Sequence, residues 1–144
     1  MTQATKYEKP IPLKTQDNHR YWDAADRHEL ELQKCSDCRR YIHPPGPSCP
    51  SCGSPDTEWE NLGPDIRATV YSYIISYRPF LPGFQHDLPT VIAVAALDQA
   101  PDVKILANII GCPSDVVEIG MPLKMAWADI TSERALPQWT PTQD

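Results

Sequence analysis

The sequence predicts a mainly β protein, and three features of its 144 residues indicate this class. Two Cys-x-x-Cys pairs lie before residue 53, which is typical of a small metal-binding ribbon of strands. Four segments between residues 68 and 130 are rich in β-branched and aromatic residues and are bounded by Pro, Gly, Asp or Asn. Sixteen prolines against six glycines favour extended connections over helices.

One short helix is predicted ahead of the cysteine pairs, within residues 17–28. This segment holds helix-forming residues, with Asp17 as the candidate N-cap, and its apolar positions recur at helical spacing. Tyr21 and Trp22 give it more aromatic surface than so small an element needs. Docking of these rings within the chain and docking on another protein are both open.

The strongest motif consists of four cysteines, Cys35, Cys38, Cys49 and Cys52, in two pairs that are ten residues apart. Each pair fits a tight knuckle that directs two thiolates at one point, so two facing knuckles form the tetrahedral sulfur site that zinc favours. Four thiolates leave no position for water or substrate, which predicts one structural Zn²⁺ ion. Iron in a rubredoxin-like site uses similar spacing and stays an alternative.

Two disulfides in a secreted domain are the other explanation of these cysteines. Residues 1–6 contain no apolar run of the kind that a signal peptide needs, so a reducing compartment is expected, and the predicted location is cytoplasmic. No run approaches the roughly 18 apolar residues of a membrane span. A net charge of −6 disfavours a module whose affinity comes from neutralising phosphates, such as a nucleic-acid binder.

The second half of the chain is predicted to be a small all-β domain. Its strand-like segments are residues 68–77, 90–97, 103–111 and 123–130. Four or five strands in roughly seventy residues suit a Greek-key barrel, with the OB-fold as the leading candidate. Residues 91–97 do not alternate polar with apolar side chains, so the helix, the ribbon or another subunit is expected to cover the outer face of this strand. A curled barrel with short strands, which buries part of both faces, is the other explanation.

These segments divide the chain into four predicted parts. They are an N-terminal arm and helix (1–29), a zinc ribbon (30–62), an OB-fold barrel (63–135) and a C-terminal tail (136–144). The Pro-rich residues 1–14 are expected to be an extended arm that needs a surface to lie on.

The order of these motifs resembles one family. Tyr21-Trp22, the two cysteine pairs around His43-Pro44-Pro45, Trp59 and the strand Thr69–Tyr73 are similar to the rubredoxin-like zinc ribbon plus OB-fold proteins, long catalogued as a domain of unknown function. The segment Val117–Met125 is similar to the family's turn into its last barrel strands. The resemblance covers about residues 17–130.

The resemblance implies a non-catalytic accessory subunit. Proteins of this family associate with thiolase-superfamily acyl-CoA enzymes, including thiolases, lipid-transfer-protein-like steroid side-chain aldolases and acyltransferases. They stabilise the partner and help to form its CoA or acyl-CoA entrance, and related domains associate with hotdog-fold hydratases. A hetero-oligomer with a CoA thioester at the shared interface is therefore implied, and the catalytic residues belong to the partner.

A long apolar loop at residues 78–89 is the candidate contact with such a partner. It carries Phe80, Leu81 and Phe84 and is stiffened by three prolines, so it loses little entropy on docking on a partner groove or on an acyl-CoA arm. Arg78 suits a phosphate or a carboxylate. The alternative is a lid that plugs one end of the barrel.

Single-stranded nucleic-acid binding is the alternative function. Three tyrosines recur near alternate positions of one predicted strand, and three arginines suit a local basic patch. These residues are Tyr71, Tyr73 and Tyr77, and Arg39, Arg40 and Arg67.

No catalytic residue is predicted. Cys112 lies outside the ribbon with no histidine in the neighbouring segment, so it is interpreted as a small buried hydrophobic residue and not as a nucleophile. His43 is interpreted as a surface or packing residue, because four cysteines already complete the metal site.

Overall fold

The computed structural model describes residues 7–142, so residues 1–6 of the predicted arm and residues 143–144 of the predicted tail lie outside the described residues. The elements are helix α1 (His19–Asp26), strands β1 (Leu30–Cys35), β2 (Tyr41–Ile42), β3 (Thr57–Gly63), β4 (Arg67–Ser76), β5 (Thr90–Leu97) and β6 (Lys104–Ile109), a 3₁₀ turn (Ser114–Val116), and strands β7 (Pro122–Asp129) and β8 (Ala135–Pro141). Within the described residues, no helix has the length and apolar character needed to cross a membrane.

Helix α1 confirms the predicted helix but not its predicted cap. Asn18, and not Asp17, occupies the N-cap, and the Asn18 side chain accepts a hydrogen bond from the backbone N–H of Thr15 (2.6 Å). The helix ends where His28 adopts a left-handed conformation (φ 62°). Its buried face consists of Tyr21, Ala24 and Ala25.

The cysteine-bearing part is a three-stranded antiparallel sheet in the order β2-β1-β3. Strands β1 and β2 lie on either side of the first cysteine pair, in agreement with the predicted ribbon of strands, whereas β3 has no counterpart in the sequence analysis. The Gln33 side chain holds the loop between β2 and the second cysteine pair, because its amide donates to the Gly46 carbonyl (2.8 Å) and accepts from the Gly46 N–H (2.9 Å).

Five strands form a closed barrel in the order β4-β5-β6-β8-β7, which confirms the predicted OB-fold. The predicted tail at 136–144 is wrong for residues 136–141, because they belong to β8, which pairs with β7 from Ala135↔Asp129 to Pro141↔Leu123. Strands β6 and β8 are parallel and share one register pair, Ile109↔Trp139.

One apolar core joins the helix, the ribbon and the barrel. Trp139 is fully buried inside the barrel, and its indole N–H donates to the Ile105 carbonyl (3.3 Å). Tyr21 of α1 and Leu30 and Leu32 of β1 belong to the same buried cluster. Strand β5 alternates buried with half-buried side chains, so the chain itself partly covers the outer face for which the sequence predicted a cover.

The described part of the arm lies on a surface, as predicted. The Lys14 ammonium contacts the carboxylates of Asp23 (2.7 Å) and Asp26 (2.8 Å), and Arg134 donates to the Pro12 carbonyl (2.6 Å). Asp26 also accepts the Ala135 N–H (3.0 Å). Burial opposes ionisation of Asp26, but the bonds from Lys14 and Ala135 prevail and hold its pKa below the ordinary value.

The arm also contacts the loop between β4 and β5. Lys9 pairs with Asp87, and its ammonium lies 5.2 Å from the centroid of the Phe84 ring. Gly83 (φ 97°) packs so closely that an added Cβ would lie 3.0 Å from the Glu8 carbonyl carbon. The arm therefore connects this loop to α1 and to Arg134, the residue before β8.

Candidate functional site

The four predicted metal ligands come together at one point. The Sγ atoms of Cys35 and Cys52 are 3.5 Å apart, those of Cys38 and Cys49 are 3.6 Å apart, and all four lie within 4.8 Å of one another. A tetrahedral site with Zn–S bonds of about 2.3 Å has S–S edges of about 3.8 Å. The thiol set therefore fits a four-coordinate metal ion, and because it supplies all four ligands, the site is structural.

The two knuckles share one backbone geometry. Arg39 and Gly53, the residues after each pair, have positive φ angles of 67° and 79°. Each donates its N–H to the carbonyl of the first cysteine in its pair, at 3.1 Å for Cys35 and 2.8 Å for Cys49. Glycine adopts this conformation freely, whereas arginine does so at a cost, so the fold imposes it on Arg39.

Backbone N–H groups point at the sulfurs. The Cys38 N–H donates to the Cys35 Sγ, and the Ser51 N–H donates to the Cys49 Sγ, each at 3.4 Å. The bond from Cys38 lowers the pKa of the Cys35 thiol, and a bond from the Cys52 N–H lowers the pKa of the Cys49 thiol to about 6. Both effects favour the thiolate form that binds metals.

A groove of about 820 Å³ lies between the helix and the barrel. Its floor consists of residues 104–108 of β6 and residues 136–138 of β8. One wall is formed by α1 and residues 43–45, and the other by the loop between β4 and β5. "The groove" below means this site.

All six residues that the sequence analysis singled out for partner or CoA contact line the groove: Tyr21, Trp22, Arg78, Phe80, Leu81 and Phe84. The two rings of α1 meet edge to face at 5.0 Å, with Tyr21 buried and Trp22 half-buried. On the opposite wall Phe80 is 85% exposed and Leu81 is 51% exposed. Neither of these two side chains fills the barrel, so the plug interpretation of the loop is wrong for them.

His43 belongs to the groove wall as a packing residue, as interpreted from the sequence. Its ring lies 5.3 Å from the Tyr21 ring, and burial lowers its pKa to about 4. Burial likewise raises the pKa of the Tyr21 phenol. Both side chains are therefore uncharged near neutral pH, which keeps this wall apolar.

Lys104, Leu106 and Gln138 are among the groove residues that the sequence analysis did not single out. Each lies on the outer side of a barrel strand, between neighbours that point inward, such as Ile105 and Trp139. The alternation of β6 could have revealed Lys104 and Leu106. Nothing in the local sequence indicates that the helix packs over Gln138.

The remaining candidates are not at this site. Burial raises the pKa of the Cys112 thiol, and its side chain packs against the core, which supports its interpretation as a small hydrophobic residue. Arg39 pairs with Glu58 (2.6 Å) and Arg67 with Asp65 (3.3 Å), which weakens the basic patch that a nucleic-acid interface needs.

Family models match most of the chain. The rubredoxin-like zinc ribbon domain of ChsH2 matches residues 22–58, and the C-terminal OB-fold domain of ChsH2 matches residues 59–128. Among solved structures, a chain of the "Ltp2-ChsH2(DUF35) aldolase" is similar, with 35% identity and a TM-score of 0.78 over 91% of this chain and 98% of that chain.

Two named relatives are subunits of hydratases. A probable enoyl-CoA hydratase alpha subunit of Thermomonospora curvata is 35% identical over 139 residues, which are 96% of this chain and 42% of that protein. The 3-oxo-4,17-pregnadiene-20-carboxyl-CoA hydratase alpha subunit of Mycobacterium tuberculosis is 28% identical over 92% of this chain and 40% of that protein. The chain thus spans about two fifths of the length of these relatives.

The helix, the four-cysteine ribbon and the five-stranded barrel occur here in the order of the matching models, and the aldolase component matches over almost its full length. The chain belongs to the ChsH2 (DUF35) family of rubredoxin-like zinc ribbon plus OB-fold proteins.

Proposed function

We propose that this chain is a non-catalytic subunit that binds a thiolase-like acyl-CoA enzyme through the groove and stabilises it. The observation that carries the proposal is the groove itself, which places exposed Phe80 and Leu81 opposite Trp22. Large apolar side chains held at the rim of a groove are typical of protein interaction sites. The 35% identity to a component of an aldolase complex supports an enzyme as the partner.

The rim of the groove also suits the entrance for a CoA thioester. Arg78 and Lys104 line it, and neither forms an ion pair within residues 7–142. Guanidinium and ammonium groups bind phosphates, while the apolar wall suits an acyl chain. In this proposal the loop between β4 and β5 helps to line the entrance, and the partner supplies the reacting groups.

We assign Zn²⁺ to the ribbon, one ion per chain. The support is the donor set, because four thiolates at tetrahedral spacing match structural zinc. The ion would hold the two knuckles together, and the cysteines stabilise it only while they are reduced. This requirement favours a cytoplasmic complex.

A hydratase is the second candidate partner. The relatives of Thermomonospora curvata and Mycobacterium tuberculosis are named as hydratase alpha subunits, and in each this chain corresponds to about two fifths of the protein. The same groove would then contact a hydratase domain, with the hotdog fold that the family resemblance implies.

Co-expression with an Ltp2-type thiolase-like subunit, followed by size-exclusion chromatography with light scattering and metal analysis, tests the proposal. We expect co-elution with about one zinc per copy of this chain. Phe80→Asp should weaken the complex by about 30-fold or more, since it places a charge in an apolar contact. Ile119→Asp is the matched control, because Ile119 is 70% exposed and lies outside the groove.

Two results would contradict the proposal. One is a chain that stays monomeric beside both a thiolase-like and a hydratase subunit. The other is an equal loss of binding for the Phe80 and Ile119 variants, because the contact would then not be specific to the groove.

A further inference from the structure

The floor of the groove is a gap in the barrel. On one side, β6 pairs with β5 along its whole length, from Lys104↔Ala96 to Ile109↔Val91. On the other side, one register pair with β8, Ile109↔Trp139, closes the barrel. In the part of the chain that the structure describes, no strand pairs with residues 104–108 on this second side, so β6 has an open edge.

Backbone alternation identifies the groups at this edge. The Ile110 N–H donates to the Trp139 carbonyl (2.8 Å), and successive residues of a strand direct their backbone groups to opposite neighbours. Leu106 therefore directs its N–H and carbonyl towards the gap, and its side chain is 64% exposed. By the same alternation Pro137 offers the gap a carbonyl and, being proline, no N–H.

Gln138 adds an unpaired hydrogen-bond acceptor to the groove. Its side chain lines the groove and is 9% exposed, and its Oε1 is buried with no hydrogen-bond partner among residues 7–142. A buried acceptor without a donor costs free energy, so a ligand that donates an N–H gains by occupying this position. Pro137 and Gln138 therefore add two acceptors beside the N–H and the carbonyl of Leu106.

The charges around the gap narrow the choice of occupant. Arg78 and Lys104 flank it without an ion pair among the described residues, although the whole chain has a net charge of −6. Two cations beside an apolar groove complement a carboxylate on an otherwise apolar ligand. These groups fit an occupant that is apolar and extended, donates backbone N–H groups and is acidic at one position.

We propose that an extended apolar segment of the partner enzyme, carrying at least one acidic residue, adds as a strand to the open edge of β6. This inference deepens the proposed function and rests on it, because the enzyme subunit supplies the segment. Main-chain hydrogen bonds to Leu106 hold the segment, and the groove walls take alternate side chains. Gln138 accepts one N–H, and Arg78 or Lys104 pairs with the carboxylate.

Random dodecapeptides displayed on phage and selected on the zinc-loaded chain are the first probe. We expect enriched sequences that alternate apolar residues and contain Asp or Glu. Synthetic versions should slow amide exchange at Leu106, and N-methylation at every second peptide position should weaken binding about tenfold or more. The intervening positions should tolerate N-methylation, because their N–H groups point away from β6.

Variants of the chain give an independent readout. Leu106→Pro removes the N–H that faces the gap, whereas Leu106→Ala keeps it and serves as the control for the lost side chain. We expect Leu106→Pro to weaken peptide binding about tenfold more than Leu106→Ala does. Gln138→Leu should weaken it by a comparable factor. If Leu106→Pro does not fold, the series of N-methylated peptides tests the inference instead.

Three results of the binding experiments with peptides and CoA would overturn the inference. The first is a selection that enriches no peptide able to slow amide exchange at Leu106. The second is binding that tolerates N-methylation equally at all peptide positions. Protection of Leu106 by CoA alone, with no effect of peptides, is the third and would assign the gap to the thioester arm. If Leu106→Pro leaves the complex with the thiolase-like subunit intact, this inference fails and the proposed function stands. If the wild-type chain binds no such subunit, the proposed function and the enzyme origin of the segment both fail.

Discussion

The burial of His43 predicts a specific loss of stability in mild acid. Its ring packs against Tyr21 in the groove wall, and burial lowers its pKa from 6.5 to about 4. The unfolded chain therefore binds the proton more tightly than the folded chain does. The contribution of the neutral imidazole to stability is complete above pH 6.5, decreases as the pH falls below 6.5 and is lost below about 4.

The size of this loss follows from the two pKa values. The pKa of His43 differs by about 2.5 units between the unfolded and the folded chain. At 1.4 kcal/mol per unit, the free energy of unfolding should be about 3.5 kcal/mol lower once His43 is protonated in both states. Between pH 7 and pH 5.5, where the folded His43 is still neutral, the free energy of unfolding should decrease by about 1.2 kcal/mol.

Urea unfolding at pH 7 and pH 5.5, with zinc at a fixed concentration, measures this loss. The cysteine thiolates also make stability pH-dependent, so the comparison is with His43→Phe, which keeps an aromatic ring and all four cysteines. The variant should lose about 1.2 kcal/mol less than the wild type over this range. Equal losses in the two proteins would refute the assignment of a depressed pKa to His43.

Three further predictions concern the ribbon, the arm and the helix. Cys38→Ser should abolish stoichiometric metal binding, whereas Cys112→Ser should retain one ion per chain in metal analysis, because only Cys38 belongs to the clustered thiols. Gly83→Ala should lower the free energy of unfolding by about 1–3 kcal/mol, because its Cβ would contact the arm backbone. Gly120→Ala is the control, since Gly120 has a similar positive φ but open space around it, and the difference between the two variants in denaturant titrations measures the cost of the contact. Asp26→Ala should cost about 2 kcal/mol in thermal unfolding, because it leaves the Ala135 N–H of β8 without its acceptor and removes one of the oxygen partners of Lys14 and of Arg134. A change within about 0.5 kcal/mol for Asp26→Ala would show that these bonds form equally well with water.

The parts of the fold that the sequence predicted are those with local patterns. The cysteine spacing predicted a four-thiol cluster because each knuckle is a short contiguous segment. Strands β4 to β7 were predicted within two residues at every end, because each is a run of β-branched residues between turn formers.

The sequence analysis missed strand β8 because of its two prolines. Pro137 and Pro141 lie within its seven residues, and a proline argues against a central strand because it lacks an N–H. The N–H that Pro137 lacks would face the open edge beside β6, so the ladder with β7 does not need it. Strand β3 was missed because its side chains are mostly polar and only partly buried.

The groove could not be predicted as a cavity. Its walls come from segments that are separated by many residues, with Trp22 near one end of the chain and Gln138 near the other. Tyr21, Trp22 and the loop residues were singled out because they are aromatic or apolar where a short element does not need them. Their meeting across β6 and β8 depends on the packing of α1 against the barrel, which no local pattern encodes.

The shared core has a consequence for how this chain unfolds. Leu30 and Leu32 belong to the ribbon in sequence, yet they are buried in the same cluster as Trp139 of the last barrel strand. We therefore expect loss of the metal to disturb residues that support the barrel, and the two family domains to melt together as one cooperative unit. A ribbon transplanted onto a different barrel would expose Leu30 and Leu32, so the two domains are not interchangeable modules.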